Sequence, residues 1–203
     1  LKNKQKIYLV KINIILFVII MMIGKTQEQT ESAFQSSVFT DNFIDYIKSV
    51  ENPKFSAGPV HDSAEGGNKT YGYGHKLTDT EKKFNNIYGI PLEEIDEQNS
   101  NKILMIDLKK ANDELVKNYG EEYINLDPRR KQMLIDFQYN MGSGGVKLFK
   151  NFRQGLFIGD EKIMKKEYER GYYPSDLDRK NKTNFKKLKD RNARFFSEFF
   201  GEE

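Results

Sequence analysis

The chain has no cysteine and no tryptophan, and only two histidines and five prolines in 203 residues. Without cysteine there is no disulfide framework, no thiolate metal site and no cysteine nucleophile. Stability must then come from packing. His61 and His75 are too few for a histidine-rich metal cage. Net charge is only +3, and no RNA- or DNA-binding motif accompanies it, so nucleic acid is not an expected partner.

What is present is aromatic. Fifteen Phe and eleven Tyr are enough to fill a real core, and the length suits one domain with an appendage. The small positive excess is unevenly placed. From Val146 to Phe200 there are fifteen Lys or Arg against eight Asp or Glu, in runs of like charge no longer than two. That pattern fits a solvated basic face drawn to a polyanion, such as an anionic cell-wall polymer or a membrane surface.

The appendage is N-terminal. Lys2, Lys4, Lys6 and Lys11 precede the apolar run from Ile12 to Ile23, broken only by Asn13. A basic stretch before a short apolar run is the plan of a secretory signal. We read 1–24 as a signal peptide or uncleaved signal anchor, 25–38 as a polar linker and 39–203 as the folded domain. Secretion or export to the periplasm or cell surface is expected, and an uncleaved segment would tether the chain to a membrane.

In the folded part, "FTDNFIDYIKSVEN" reads as a helix entered at Thr40 or Asp41, with Phe43, Ile44, Ile47 and Val50 as its apolar stripe. Asn52-Pro53 ends it, because the residue before proline is pushed out of the helical region. Glu51 is then left on the last turn. Lys54 to Leu77 is glycine-rich and reads as loop plus hairpin. A short helix capped by Thr78 or Asp79 follows, then a long helix from Asn99 to Tyr119 with Ile103, Ile106, Leu108, Leu115 and Val116 among its apolar positions. A further helix starts at Asp127-Pro128, buries Met133, Leu134, Phe137 and Met141, and stops at Gly142. Two or three more helices fill Gly144 to Phe200. The class is α+β, mostly helical with one small hairpin.

The stretch "SVENPKFSAGPVHDSAEGGNKTYGYGH" gathers Glu51 at a helix end, Asp62 and Glu65 in a glycine-rich loop, and Thr70 on the hairpin. An acid emerging from an apolar helix face is partly desolvated and stays protonated more readily, whereas a carboxylate in a wet loop stays ionised. Two carboxyls in such unequal settings are what glycoside cleavage requires. Gly72 and Gly74, inside a strand pattern, mark close approach of something to the backbone. His75 is read as a hydrogen-bonding residue that holds the end of the hairpin.

The order Glu…Thr-x-Gly-x-Gly-His after a first amphipathic helix resembles the phage-type lysozymes, muramidases that include phage endolysins and tail lysins. "NLDPRRKQMLIDFQYNMGSGGVKLFKNF" resembles that family's helix pair around a Met-Gly turn, and "NFKKLKDRNARFFSEF" its basic last helix. The resemblance implies a lysozyme-like fold with the hairpin lobe beside the cleft. It implies hydrolysis of the β-1,4 bond between N-acetylmuramic acid and N-acetylglucosamine in bacterial peptidoglycan, by a monomer, without metal or organic cofactor. Glu51 resembles the general acid and Thr70 the threonine that places water. The family's second acid would fall on Ala64, flanked by Glu65, which we prefer, and Asp62. Lys76, Tyr139 and Asn140 match positions that line the sugar groove. Carboxyls about 6.5–9.5 Å apart would give inversion, the outcome the resemblance favours. The competing readings are a lytic transglycosylase, which cleaves the same bond with a single acid, and a non-catalytic wall-binding protein.

Overall fold

The computed structural model describes residues 37–55, 61–62, 69–172 and 180–201. The expected signal or anchor, most of the linker and Glu65 lie outside these residues. Among the described residues no helix is long and apolar enough to cross a membrane. The chain divides into two units, Leu1–Thr40 and Asp41–Glu203, and the elements described next belong to the second.

Helix α1 (Asp41–Glu51) leads into a three-stranded antiparallel sheet of β1 (His61–Asp62), β2 (Lys69–Tyr71) and β3 (His75–Lys76), in that spatial order. Thr70 lies on the central strand, opposite His61 on one side and Lys76 on the other. Helix α2 (Asp79–Phe84) and the strand pair β4 (Asn86–Ile87) and β5 (Ile90–Pro91) complete this small lobe. Its core is aliphatic: Leu77, Ile87 and Ile95 pack with Ile103 of the long helix α3 (Glu97–Tyr119).

The rest is helical. After α3 come the short α4 (Glu121–Ile124), then α5 (Pro128–Leu148), α6 (Lys150–Ile158), α7 (Glu161–Glu167) and α8 (Lys189–Phe200), with β6 (Gly171–Tyr172) pairing β7 (Lys186–Lys187) before α8. The core here is aromatic. Phe137 of α5 stacks on Phe152 of α6 at 4.4 Å between centroids and meets Phe195 of α8 edge-on at 5.4 Å. Phe199 then joins α8 to Phe43 and Tyr46 of α1. Burying such rings contributes roughly 1.5–3 kcal/mol each, and it sets α1, α5 and α8 side by side.

The expected α+β architecture, mostly helical with a small β lobe, is the one observed. Several details differ. Helix α1 buries Tyr46 with Phe43 and Ile47, while Ile44 and Val50 are only half-buried. In α3, Ile106 is 38% exposed, and Leu104 and Ala111 take the inward positions. Met141 is half-buried. Gly142 does break α5, with φ 65° and ψ 176°, but the helical path resumes to Leu148. The β6–β7 pair was not legible, because two-residue strands carry no alternation to read.

Candidate active site

Glu51 is the last residue of α1. Its neighbour Asn52 leaves the helix and donates its side-chain amide to the Gly72 carbonyl at 2.9 Å, which ties the helix end to the hairpin. From α5, the Tyr139 hydroxyl donates to the Tyr73 carbonyl at 2.6 Å. The turn Gly72-Tyr73-Gly74 is thus pinned from two helices. Both glycines have left-handed backbones, with φ 56° and 98°, and both are hemmed in. A β-carbon at Gly74 would stand 2.9 Å from Glu51 Oε2, and one at Gly72 2.7 Å from Ser100 Oγ. The approach inferred from "TYGYGH" is therefore made by α1 at Gly74 and by α3 at Gly72.

The other side of Glu51 meets a chain of charges. Arg191 of α8 donates through Nη1 to Glu51 Oε1 at 2.5 Å and through Nη2 to Asp136 Oδ1 at 2.7 Å. Asp136 of α5 in turn forms an ion pair through Oδ2 with Arg170 Nη1 at 2.6 Å. Asp136 and Arg170 are fully buried, while the Glu51 side chain keeps 16% of its surface exposed. The Arg170 guanidinium lies over the rings of Phe137 and Phe195, at 4.4 and 4.9 Å. Burial works against the Asp136 charge, but Arg170 and then Arg191 outweigh it and hold its carboxyl below the usual aspartate range. Arg191 is likewise kept protonated against burial by Asp136 and Glu51. Burial, reinforced by the nearby Glu51 charge, keeps the Tyr139 phenol neutral. Glu51 is left as a half-sheltered carboxyl with one oxygen braced by a cation and the other turned to the hairpin, which suits it to give or take a proton.

His75, on β3, is buried between two carboxylates. Nδ1 faces Asp107 Oδ2 at 2.8 Å and Nε2 faces Glu81 Oε2 at 3.2 Å. Burial disfavours its charged ring, but hydrogen bonds and charge from Asp107 and then Glu81 prevail and raise its pKa above 6.5. Both nitrogens face carboxylate acceptors, an arrangement that favours the doubly protonated ring. Asp107 also accepts from the Tyr88 hydroxyl, which binds the hairpin end to α3 and to the turn between β4 and β5.

Of the residues singled out in the sequence, Glu51 and Tyr139 meet at Gly74. Thr70 and Lys76 are paired on adjacent strands, Thr70 half-buried and Lys76 exposed. Asn140 is half-buried, and its Oδ1 has no hydrogen-bond partner among the described residues. Asp62, read as part of a loop, belongs to β1 opposite Lys69. Sequence reasoning missed Arg191, Asp136 and Arg170. Asp136 did leave a signal, as a lone acid inside the apolar run "MLIDF". Among the described residues no cluster of His, Asp and Glu could hold a metal ion.

The model of the phage lysozyme family matches residues 52–183. The matched stretch opens one residue after Glu51, takes in the hairpin, α3, α5 and Arg170, and closes before α8. A search of curated proteins returned no match. The match covers most of the chain and the fold agrees with it: this protein belongs to the phage lysozyme family and is a glycosidase-type hydrolase of peptidoglycan.

Proposed function

We propose that the chain is a muramidase that hydrolyses the β-1,4 bond between N-acetylmuramic acid and N-acetylglucosamine. One observation carries the reading: Glu51 sits at a helix end with Oε1 braced by Arg191 and Oε2 beside Gly74. Oε2 is then the oxygen that protonates the glycosidic oxygen as the bond breaks. Glu65, with Asp62 as the second candidate, takes the proton of the attacking water or steadies the oxocarbenium-like state, and Thr70 helps place that water. The hydroxyl adds to the anomeric carbon, and water returns a proton to Glu51 after product release. Lys76 and Asn140 line the sugar groove, and Tyr139 does so while holding the Tyr73 carbonyl. The basic, apolar 1–24 segment supports delivery across a membrane to reach the wall, as a secreted or surface-held enzyme.

The test is clearing of purified cell walls by wild type and by Glu51→Gln, Glu65→Gln and Asp62→Asn, with product masses recorded. Loss of about two to four orders of magnitude is expected at Glu51, the usual share of a general acid. Products should carry one added water, whereas anhydro products lighter by one water would identify a transglycosylase. A loss under about threefold at Glu51 in a folded variant removes it from the acid role.

A further inference from the structure

The chain of charges behind Glu51 contains more than a brace needs. A single arginine would suffice to fix Oε1, yet Arg191 is divided between two carboxylates, and the second has a buried arginine of its own. The consequence is electrostatic. Arg191, Asp136 and Arg170 together place one net positive charge beside Glu51. Without Asp136 they would place two there, and without Arg170 none.

That difference matters for a group that must alternate between acid and anion. Adjacent positive charge favours the ionised carboxylate, and the effect is strong where water is largely excluded. A proton donor held by two uncompensated guanidinium groups would seldom be protonated. One with no net charge beside it would give up its proton less readily. We propose that Asp136 is a positioning residue for the acid step: it takes up half of the Arg191 guanidinium, so that this cation orients Glu51 without locking it as an anion, and Arg170 fixes Asp136 in that role. The inference rests on Glu51 being the general acid.

Among the described residues, the groups facing Glu51 are few. From α8 comes Arg191, from α5 Tyr139 and, behind Arg191, Asp136. From α1 itself Tyr46 lies among Asp136, Arg170 and Arg191, its phenol kept neutral first by burial and then by Asp136. The hairpin presents the Gly74 backbone, and the next residue, His75, is engaged by Asp107 and Glu81. Asp45 and Lys48 of α1 pair with one another at 3.9 Å.

The experiment is the pH profile of kcat on soluble, uncross-linked glycan strands for wild type, Asp136→Asn and Arg170→Met. The alkaline limb of that profile reports ionisation of the acid in the enzyme–substrate complex. Asp136→Asn should move the limb to lower pH. At a pH where wild type has lost half its rate, this variant should be slower by about a further tenfold, with KM little changed. Arg170→Met should move the limb the opposite way. It leaves Asp136 its bond to Arg191 and puts an apolar side chain between Phe137 and Phe195. General damage to the fold slows both variants without displacing their limbs in opposite directions, so opposite displacement is the supporting result. If Asp136→Asn does not fold, Arg170→Met decides alone. A limb that stays in place for Arg170→Met, or limbs that move the same way in both, overturns the proposal. Retention of wild-type activity by Glu51→Gln would instead take down the acid assignment and this inference with it.

Discussion

Gly74 concentrates two constraints on one residue. Its φ of 98° is a region that side-chain-bearing residues rarely adopt, and its missing β-carbon leaves room for Glu51 Oε2. Gly74→Ala should therefore lose stability by about 1–3 kcal/mol and most of its wall-clearing activity. Gly89→Ala, at φ 83° with nothing within 4 Å of the added carbon, should lose stability alone. Thermal unfolding and turbidity assays on the two variants separate strain from displacement of the carboxyl; equal activity losses would remove Gly74 from the site. His75 gives the pH-dependent counterpart. Its pKa is raised on folding, so its contribution is fully present below the unfolded value of 6.5 and fades as pH rises through the folded value. Glu81, lowered despite burial by the hydrogen bonds from Thr78 and then by His75, contributes above its ordinary 4.5 and loses that as pH falls. The destabilisation caused by His75→Asn should thus be largest between those two values. Urea denaturation at about pH 5.5 and about pH 9 tests it, and an equal loss at both would contradict the assignment. These residues were visible in the sequence because local rules act on them. Glycine in a strand pattern and a histidine at a hairpin end each raise a question that neighbouring residues narrow. Arg191 raised none. Its partner lies 140 positions away, and nothing local distinguishes it from the solvated arginines and lysines around it.

At the scale of elements, α5 carries the site on one half and a break on the other. Asp136, Phe137 and Tyr139 precede Gly142, whose φ of 65° and ψ of 176° are essentially confined to glycine. Beyond it, Ser143 Oγ donates to Glu114 of α3 at 2.9 Å and accepts from Asn118 at 3.1 Å. Gly142→Ala has open space for its β-carbon, so only the backbone resists. A loss of about 1–3 kcal/mol in chemical denaturation is expected, and a stabilising effect would show that the break is not needed. The start of α5 was legible because Asp127 accepts from the Arg130 amide behind Pro128 at the first helical position. The start of α2 was narrowed to two residues, and Thr78 proved to be the cap through a reciprocal bond with Glu81. The inward faces were less legible. Tyr46 and Ala111 are buried by the neighbours they meet, and helical periodicity alone does not rank them above Val50 or Val116.

For the whole molecule, the basic C-terminal half is the feature with a consequence in solution. Its inward arginines, Arg170 and Arg191, are paired with Asp136 and Glu51. Lys150, Lys180, Lys182, Lys186 and Lys189 are exposed or half-exposed on the surface. An anionic wall would be drawn to such a face over a distance set by salt, about 30 Å at 0.01 M and about 8 Å at 0.15 M. Wall-clearing rates should fall across that range, mainly through weaker association, while hydrolysis of short neutral glycan strands should change little. A rate on walls that is flat with salt would make the charge incidental.

The pairing of Glu51 with Arg191 also imposes an order in time. A ribosome delivers α1, the hairpin and α5 before it delivers α8. Until residue 191 emerges, the carboxyl has no guanidinium beside it and Asp136 lacks one of its two counter-ions. The Glu51–Arg191–Asp136 arrangement is therefore complete only once α8 has been made, after every other described element of the site.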